Sequence, residues 1–133
     1  YKEILELGKC RLFKESGEFK KGEQKRDYIS ATDCAEANYL LLEKPPQNGI
    51  YNFGTGKAKS FNEIAKTVLD WFLEKDSKKA KIEYIDFPAD LIGSYQSFTE
   101  ADMSKFNSEF LNFTPIETQT AIYDYLDEIR KKS

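Results

Sequence analysis

The sequence predicts an α/β fold in which short strands are covered by helices, and three observations support it. Strand-like and helix-like patterns alternate along most of the 133 residues. Capping signatures stand directly ahead of apolar helical stripes, and glycine or proline punctuates the joins. The Phe, Tyr, Leu and Ile content suffices for one core, and the length suits a single domain.

Residues 1–7 place Ile4 and Leu5 at helical spacing, Gly8 ends that turn, and Arg11-Leu12-Phe13 resumes as a strand. The polar run 14–25, with Gly17 and Gly22, reads as a loop. Residues 26–30 read as extended, and Asp33 with Glu36 has the spacing of a capping box for a helix over 33–43. Cys34, Ala37, Leu41 and Leu42 supply its inward face, and Pro45-Pro46 forbid its continuation. A strand over 49–53 should feed Gly54-Thr55-Gly56, after which Ser60 and Glu63 cap a long helix. Phe61, Ile64, Ala65, Val68, Leu69 and Phe72 form its buried stripe, and polar residues 76–79 end it. A third strand over 82–87 precedes Pro88 and a loop over 91–95, and Thr99 with Asp102 marks a short helix. Thr114, Pro115 and Glu117 predict the start of the last helix. Ile122, Tyr125, Leu126 and Ile129 line one face of it, and Arg130, Lys131 and Lys132 complement its carboxyl end.

The chain opens without Met and directly in a helical pattern, which predicts a segment of a longer protein. Acidic residues number 23 against 20 basic ones, so there is no positive field to hold a nucleic-acid backbone. No apolar run approaches the roughly 20 residues of a membrane-spanning helix, which predicts a soluble segment. Histidine is absent and the two cysteines, Cys10 and Cys34, lie in different elements, so no metal site is expected. The cysteines read as small buried hydrophobes in a reducing compartment, which points to the cytoplasm.

Without histidine there is no Ser-His-Asp triad, and no tyrosine is followed four residues later by the lysine that would lower its pKa. Hydrolytic catalysis is therefore disfavoured, and no tyrosine here has that lysine partner for acid/base work. Gly54-Thr55-Gly56 has the setting of a dinucleotide fingerprint, but Lys59 occupies the third glycine position, so a tight turn is the commoner explanation. Lys20, Lys21, Lys25 and Arg26 form a small basic cluster. Arg26 suits bidentate capture of a diphosphate and equally suits an internal ion pair with Asp27. Tyr95 offers a ring to pack on a base or sugar and a hydroxyl to donate, or it is an ordinary buried tyrosine.

The run Arg26-Asp27-Tyr28-Ile29-Ser30, then Asp33 and then Tyr51-Asn52-Phe53-Gly54-Thr55-Gly56, resembles the extended short-chain dehydrogenase/reductases that modify nucleotide sugars. Phe87-Pro88, Leu91, Gly93, the string Tyr95-Gln96-Ser97-Phe98-Thr99-Glu100-Ala101-Asp102 and Pro115 are similar to the bacterial ADP-glyceromanno-heptose 6-epimerases in particular. The likeness runs across essentially the whole chain. It implies the carboxy-terminal, substrate-binding part of such an enzyme, with the cofactor-binding Rossmann half missing. In that family an amino-terminal domain binds NADP, and a transient ketone at the heptose C6 is reduced again from the opposite face. The implied role is conversion of ADP-D-glycero-D-manno-heptose to its L-glycero epimer for lipopolysaccharide core synthesis, by a homo-oligomer that is commonly a pentamer.

The same resemblance assigns Phe13, Lys14, Glu15 and Ser16 to the strand end beside the nucleotide sugar, Arg26 to the diphosphate and Tyr95 to the substrate. The family's catalytic tyrosine, its lysines and its glycine fingerprint would all precede residue 1. This sequence departs from the family in a longer loop after Ser16, and in Lys14-Glu15 where an acidic residue and glycine are usual. Other readings of the same scaffold are a UDP-hexose epimerase or dehydratase, and a non-catalytic nucleotide-sugar-binding module.

Overall fold

The structure, a computed structural model, describes residues 1–15, 18–91 and 95–132. Helix α1 (Lys2–Leu7) ends at Gly8, which adopts the left-handed conformation with φ 64°, and leads straight into strand β1 (Lys9–Phe13). Strand β4 (Lys81–Ile85) pairs with β1 in parallel, in a register running from Lys9↔Lys81 to Phe13↔Ile85. Between them the chain forms β2 (Lys25–Arg26), α2 (Ala31–Glu43), β3 (Lys59–Ser60) and α3 (Phe61–Asp76). A 3-10 turn at Ala89–Leu91, α4 (Ser104–Glu109) and α5 (Thr118–Lys132) follow β4. The α/β class is as expected, although the strands are short.

Strand β2 pairs antiparallel with β3, and Lys25 is also bridged on its other side to Phe98. There Lys25 N donates to Ser97 O at 2.9 Å and Thr99 N donates to Lys25 O at 3.2 Å. The segment around Tyr95 is thereby laid alongside Arg26.

Several boundaries differ from the sequence reading, each for a local reason. Helix α2 starts earlier, because Ser30 rather than Asp33 is its cap: Ser30 Oγ accepts from Asp33 N at 2.9 Å. Asp33 instead sits buried in the first turn, where its carboxylate accepts from Ser30 Oγ and from Ile116 N and so ties α2 to the approach of α5. Leu42, expected inside, is 80% exposed, because Ala37 and the half-buried Leu40 and Leu41 already fill that contact. Residues 49–53 form no strand; Tyr51 and Phe53 pack on the Met103/Phe106 core instead of joining a sheet. Only Arg26 of the extended stretch 26–30 lies in a strand, and the expected strand over 82–87 stops at Ile85.

Helix α4 opens at Ser104 rather than near Thr99, with Asp102 Oδ1 accepting from Ser104 N at 2.9 Å. Helix α5 opens at Thr118, where Glu117 Oε2 accepts from Gln119 N and Thr120 N and so takes over the capping role expected of Thr114. The long helix α3 follows its sequence signature: Ser60 and Glu63 exchange both bonds of a capping box.

Two cores result. In one, Trp71 and Phe72 of α3 are wholly buried against Ile4 and Leu126, with Cys10, Val68, Ile122 and Tyr123 packed around them. Trp71 stood outside the stripe read from sequence; its indole Nε1 donates to Asp127 Oδ1 at 3.0 Å, which satisfies the polar edge of an otherwise apolar ring. Tyr125, expected inward, is exposed, and its neighbour Tyr123 takes the inward place. The second core joins Ala37 of α2 to Met103, Phe106 and Phe110 around α4.

Phe72→Ala is expected to cost about 3–5 kcal/mol through lost burial and the cavity left behind. Ser60→Ala is expected to cost about 1 kcal/mol through the lost cap. Chemical denaturation midpoints of the two variants check both the values and their order.

Candidate functional site

Parallel pairing of β1 with β4 brings the ends of both strands to one edge, and there an aromatic cluster forms. Phe13 closes β1 and packs against Phe87 with the two rings tilted by 58° and their centroids 4.9 Å apart. Tyr95 meets Phe87 edge-on at 5.0 Å and Phe13 at 6.3 Å. The Arg26 guanidinium lies over the Tyr95 ring, 5.0 Å from its centroid, while its Nη1 donates to Lys25 O at 2.9 Å. Among the described residues no carboxylate pairs with Arg26, so the guanidinium keeps donors for an anion. Phe13, Arg26 and Tyr95 thus converge.

The remaining sequence candidates do so less fully. Lys14 follows Phe13 directly, but its Nζ is paired at 2.8 Å with the exposed Asp86. Glu15 is exposed beside it, and Ser16 lies outside the described residues. The basic cluster disperses: Lys21 covers the Tyr84 ring at 4.9 Å, and Lys20 is exposed.

Asp27 does not neutralise Arg26. Side chains of successive residues on an extended backbone point to opposite faces, and Asp27 faces the Gly54-Thr55-Gly56 turn. Its carboxylate accepts from Thr55 N at 2.8 Å, Gly56 N at 2.9 Å, Ala101 N at 3.1 Å and the Thr55 hydroxyl. Burial alone would raise this carboxyl, but the hydrogen bonds from Thr55, Ala101 and Gly56 outweigh it and hold its pKa below the usual carboxylate value. The glycines permit the close approach: a Cβ on Gly54 would lie 2.5 Å from Asp27 Oδ2 and 2.7 Å from the Ala101 Cβ, and Gly56 has φ 67°.

This turn does not fit a dinucleotide phosphate. The amides of Thr55 and Gly56 are committed to Asp27, and Gly54 N is directed at the Met103 sulfur at 3.2 Å. A nicotinamide cofactor finds no phosphate cradle at this turn.

A cavity of about 110 Å³ opens at the aromatic cluster, lined by Arg11, Leu12, Phe13, Gln24, Phe61 and Tyr95. A larger groove of about 550 Å³ runs between α3 and β4 past Lys66, Leu69, Leu73 and Ile82. None of the residues expected to bind substrate lines that groove. Ligand pockets commonly span about 300–1,000 Å³, so the smaller cavity provides one wall of a site and not a whole one.

The model of the NAD dependent epimerase/dehydratase family matches residues 3–54. An ADP-L-glycero-D-manno-heptose-6-epimerase from Alkalilimnicola ehrlichii is 39% identical over 96% of this chain and 38% of its own length. The solved structure of the Helicobacter pylori ADP-L-glycero-D-manno-heptose-6-epimerase superposes with a TM-score of 0.68 at 26% identity, over 96% of this chain and 34% of that one. The chain resembles ADP-heptose 6-epimerases over nearly its whole length. It spans a little over a third of the length of these relatives. A Methanobrevibacter ruminantium UDP-N-acetylglucosamine 4-epimerase shares the fold, with a TM-score of 0.74 at 24% identity over 99% of this chain and 38% of that one.

Sequence reasoning missed Phe87, Phe61, Gln24 and Tyr28 as neighbours of the site. The signal for Phe87 was available only through register: Phe13 pairs with Ile85, two residues before it. Gln24 is buried and donates to Lys14 O at 3.0 Å, an arrangement that nothing local in a polar loop announces.

Asp27→Asn is expected to lower stability by about 2 kcal/mol at neutral pH, since the amide cannot match a charged acceptor. A carboxyl whose pKa is lowered by folding contributes fully above its unfolded value of about 3.9 and loses that contribution as the pH falls through the folded value. Denaturation of the two proteins across that range should show their stability gap closing in acid. A gap that stays constant would rule out the charge as its source.

Proposed function

We propose that this chain is the nucleotide-sugar-binding part of an epimerase that converts ADP-D-glycero-D-manno-heptose to ADP-L-glycero-D-manno-heptose in lipopolysaccharide core synthesis. The observation that carries this reading is the convergence of Arg26 and Tyr95, 5.0 Å apart, in a chain 39% identical to such an enzyme. Arg26 takes the diphosphate in a bidentate grip, for which lysine is a poorer match. Tyr95, backed by Phe13 and Phe87, packs against the base or sugar and directs its hydroxyl toward the ligand's oxygens. Lys14 and Glu15 continue that wall from the end of β1.

In this reading residues outside the chain close the site, supply the acid/base groups and hold NADP, and the whole enzyme acts as a homo-oligomer in the cytoplasm. The wall described here orients the sugar. Among the described residues no helix is long and apolar enough to cross a membrane.

In the full-length enzyme Arg26→Ala is expected to weaken ADP-heptose binding by about 1.5–3 kcal/mol, the worth of a charge-assisted hydrogen bond. Calorimetric titration checks it, and an unchanged affinity returns Arg26 to a structural role. Titrating ADP-heptose against UDP-hexoses into the same protein separates this substrate from the UDP-sugar alternative. Purified residues 1–133 alone should show no epimerisation; turnover by them would place the chemistry here instead.

A further inference from the structure

Tyr28 carries a hydroxyl that is shielded from solvent and has no hydrogen-bond partner among the described residues. Its ring stands edge-on to Phe61 at a centroid distance of 6.1 Å, and Phe61 lines the small cavity together with Phe13, Gln24 and Tyr95. Burial, helped by the Tyr95 phenol and opposed by the Arg26 guanidinium, pushes the Tyr28 phenol up to about 12, so it stays protonated and is a donor. Tyr95 and Arg26 are the same two groups that meet over one ring at the candidate site.

A shielded, unpaired hydroxyl destabilises a folded protein relative to the phenylalanine that would fill the same space, so its presence calls for a partner that arrives later. We propose that Tyr28 is a further ligand-binding residue, whose hydroxyl donates to an anionic oxygen of a nucleoside diphosphate when Arg26 engages that ligand. The inference rests on the reading of Arg26 given above and extends it. In the free chain Arg26 rests on Tyr95. As the guanidinium turns to the diphosphate, the Tyr28 hydroxyl exchanges its unpaired state for a charged acceptor, and the bond is made only in the complex.

The test uses the full-length protein with Tyr28→Phe and Arg26→Ala, and ADP as the probe. The expected result is that Tyr28→Phe leaves the melting temperature of the free protein unchanged or raises it, while ADP affinity falls by about tenfold. Loss of stability in the free Tyr28→Phe protein would show that the hydroxyl already has a partner, and would overturn the inference. Unchanged ADP affinity for Tyr28→Phe beside weakened affinity for Arg26→Ala overturns it too, while sparing the Arg26 site. Unchanged affinity for both variants removes the site itself.

Discussion

The Asp27 carboxylate is the contact on which the arrangement of this chain depends. It draws together three stretches distant in sequence: its own, the turn at Thr55 and Gly56, and Ala101 at the approach to α4. Each donor is a backbone amide or hydroxyl that would otherwise need water or a ladder partner. An acidic side chain accepting from several of them does the work that a longer strand would do elsewhere. The consequence for the site is indirect but strict. With Asp27 committed to the turn, Arg26 pairs with no carboxylate among the described residues and rests on an aromatic ring, where its charge is held close to a surface and remains available.

The two hydrophobic cores flank this junction, and Ala101, one of its donors, packs against the second of them. The Trp71/Phe72 core fixes α1, α3 and α5, and through Cys10 and Ala80 it holds the starts of β1 and β4. The Met103/Phe106 core fixes α2 and α4. Phe13, Phe87, Tyr95 and Arg26 lie in neither, at the strand ends, and all four are half-buried. Rigid packing on both sides with partly open aromatic rings between them is a reasonable physical basis for a binding wall: position is inherited from the cores, and the exposed faces are left free for a ligand.

Legibility followed the range of the interactions. The Ser60/Glu63 cap, the apolar stripe of α3 and the Gly8 terminator are local, and sequence spacing was enough to read them. The start of α2 was misplaced because Ser30 and Asp33 are both good caps, and the choice was made by a distant amide, that of Ile116. The strand expected at 49–53 failed because β-propensity describes a half-buried surface, and Tyr51 and Phe53 found theirs against a helix. Among site residues, the spacing could name Arg26 and Tyr95 but left each with an equally good structural role. What separates those roles is whether Asp27 pairs with its neighbour or with a turn 28 residues away, and no local pattern encodes that.

The shape of the site also sets what this chain can decide. A cavity of about 110 Å³ has room for only a fragment of a ligand the size of a nucleotide sugar, and a wall of aromatic rings with one guanidinium suits planarity and negative charge rather than the configuration of one sugar carbon. Discrimination among sugars requires hydrogen bonds to particular hydroxyls, because an apolar wall separates close analogues only weakly. Buried donors with no internal partner are the groups suited to that task, since they lose most when the wrong ligand leaves them empty. In this chain the unpaired Tyr28 hydroxyl is proposed to face the diphosphate, which every nucleotide sugar carries, so it adds affinity and not that discrimination. On the proposed reading, general affinity for an anionic, ring-bearing ligand comes from Arg26, Tyr95 and the Tyr28 hydroxyl, and selectivity among sugars falls to whatever surface closes over the opposite side.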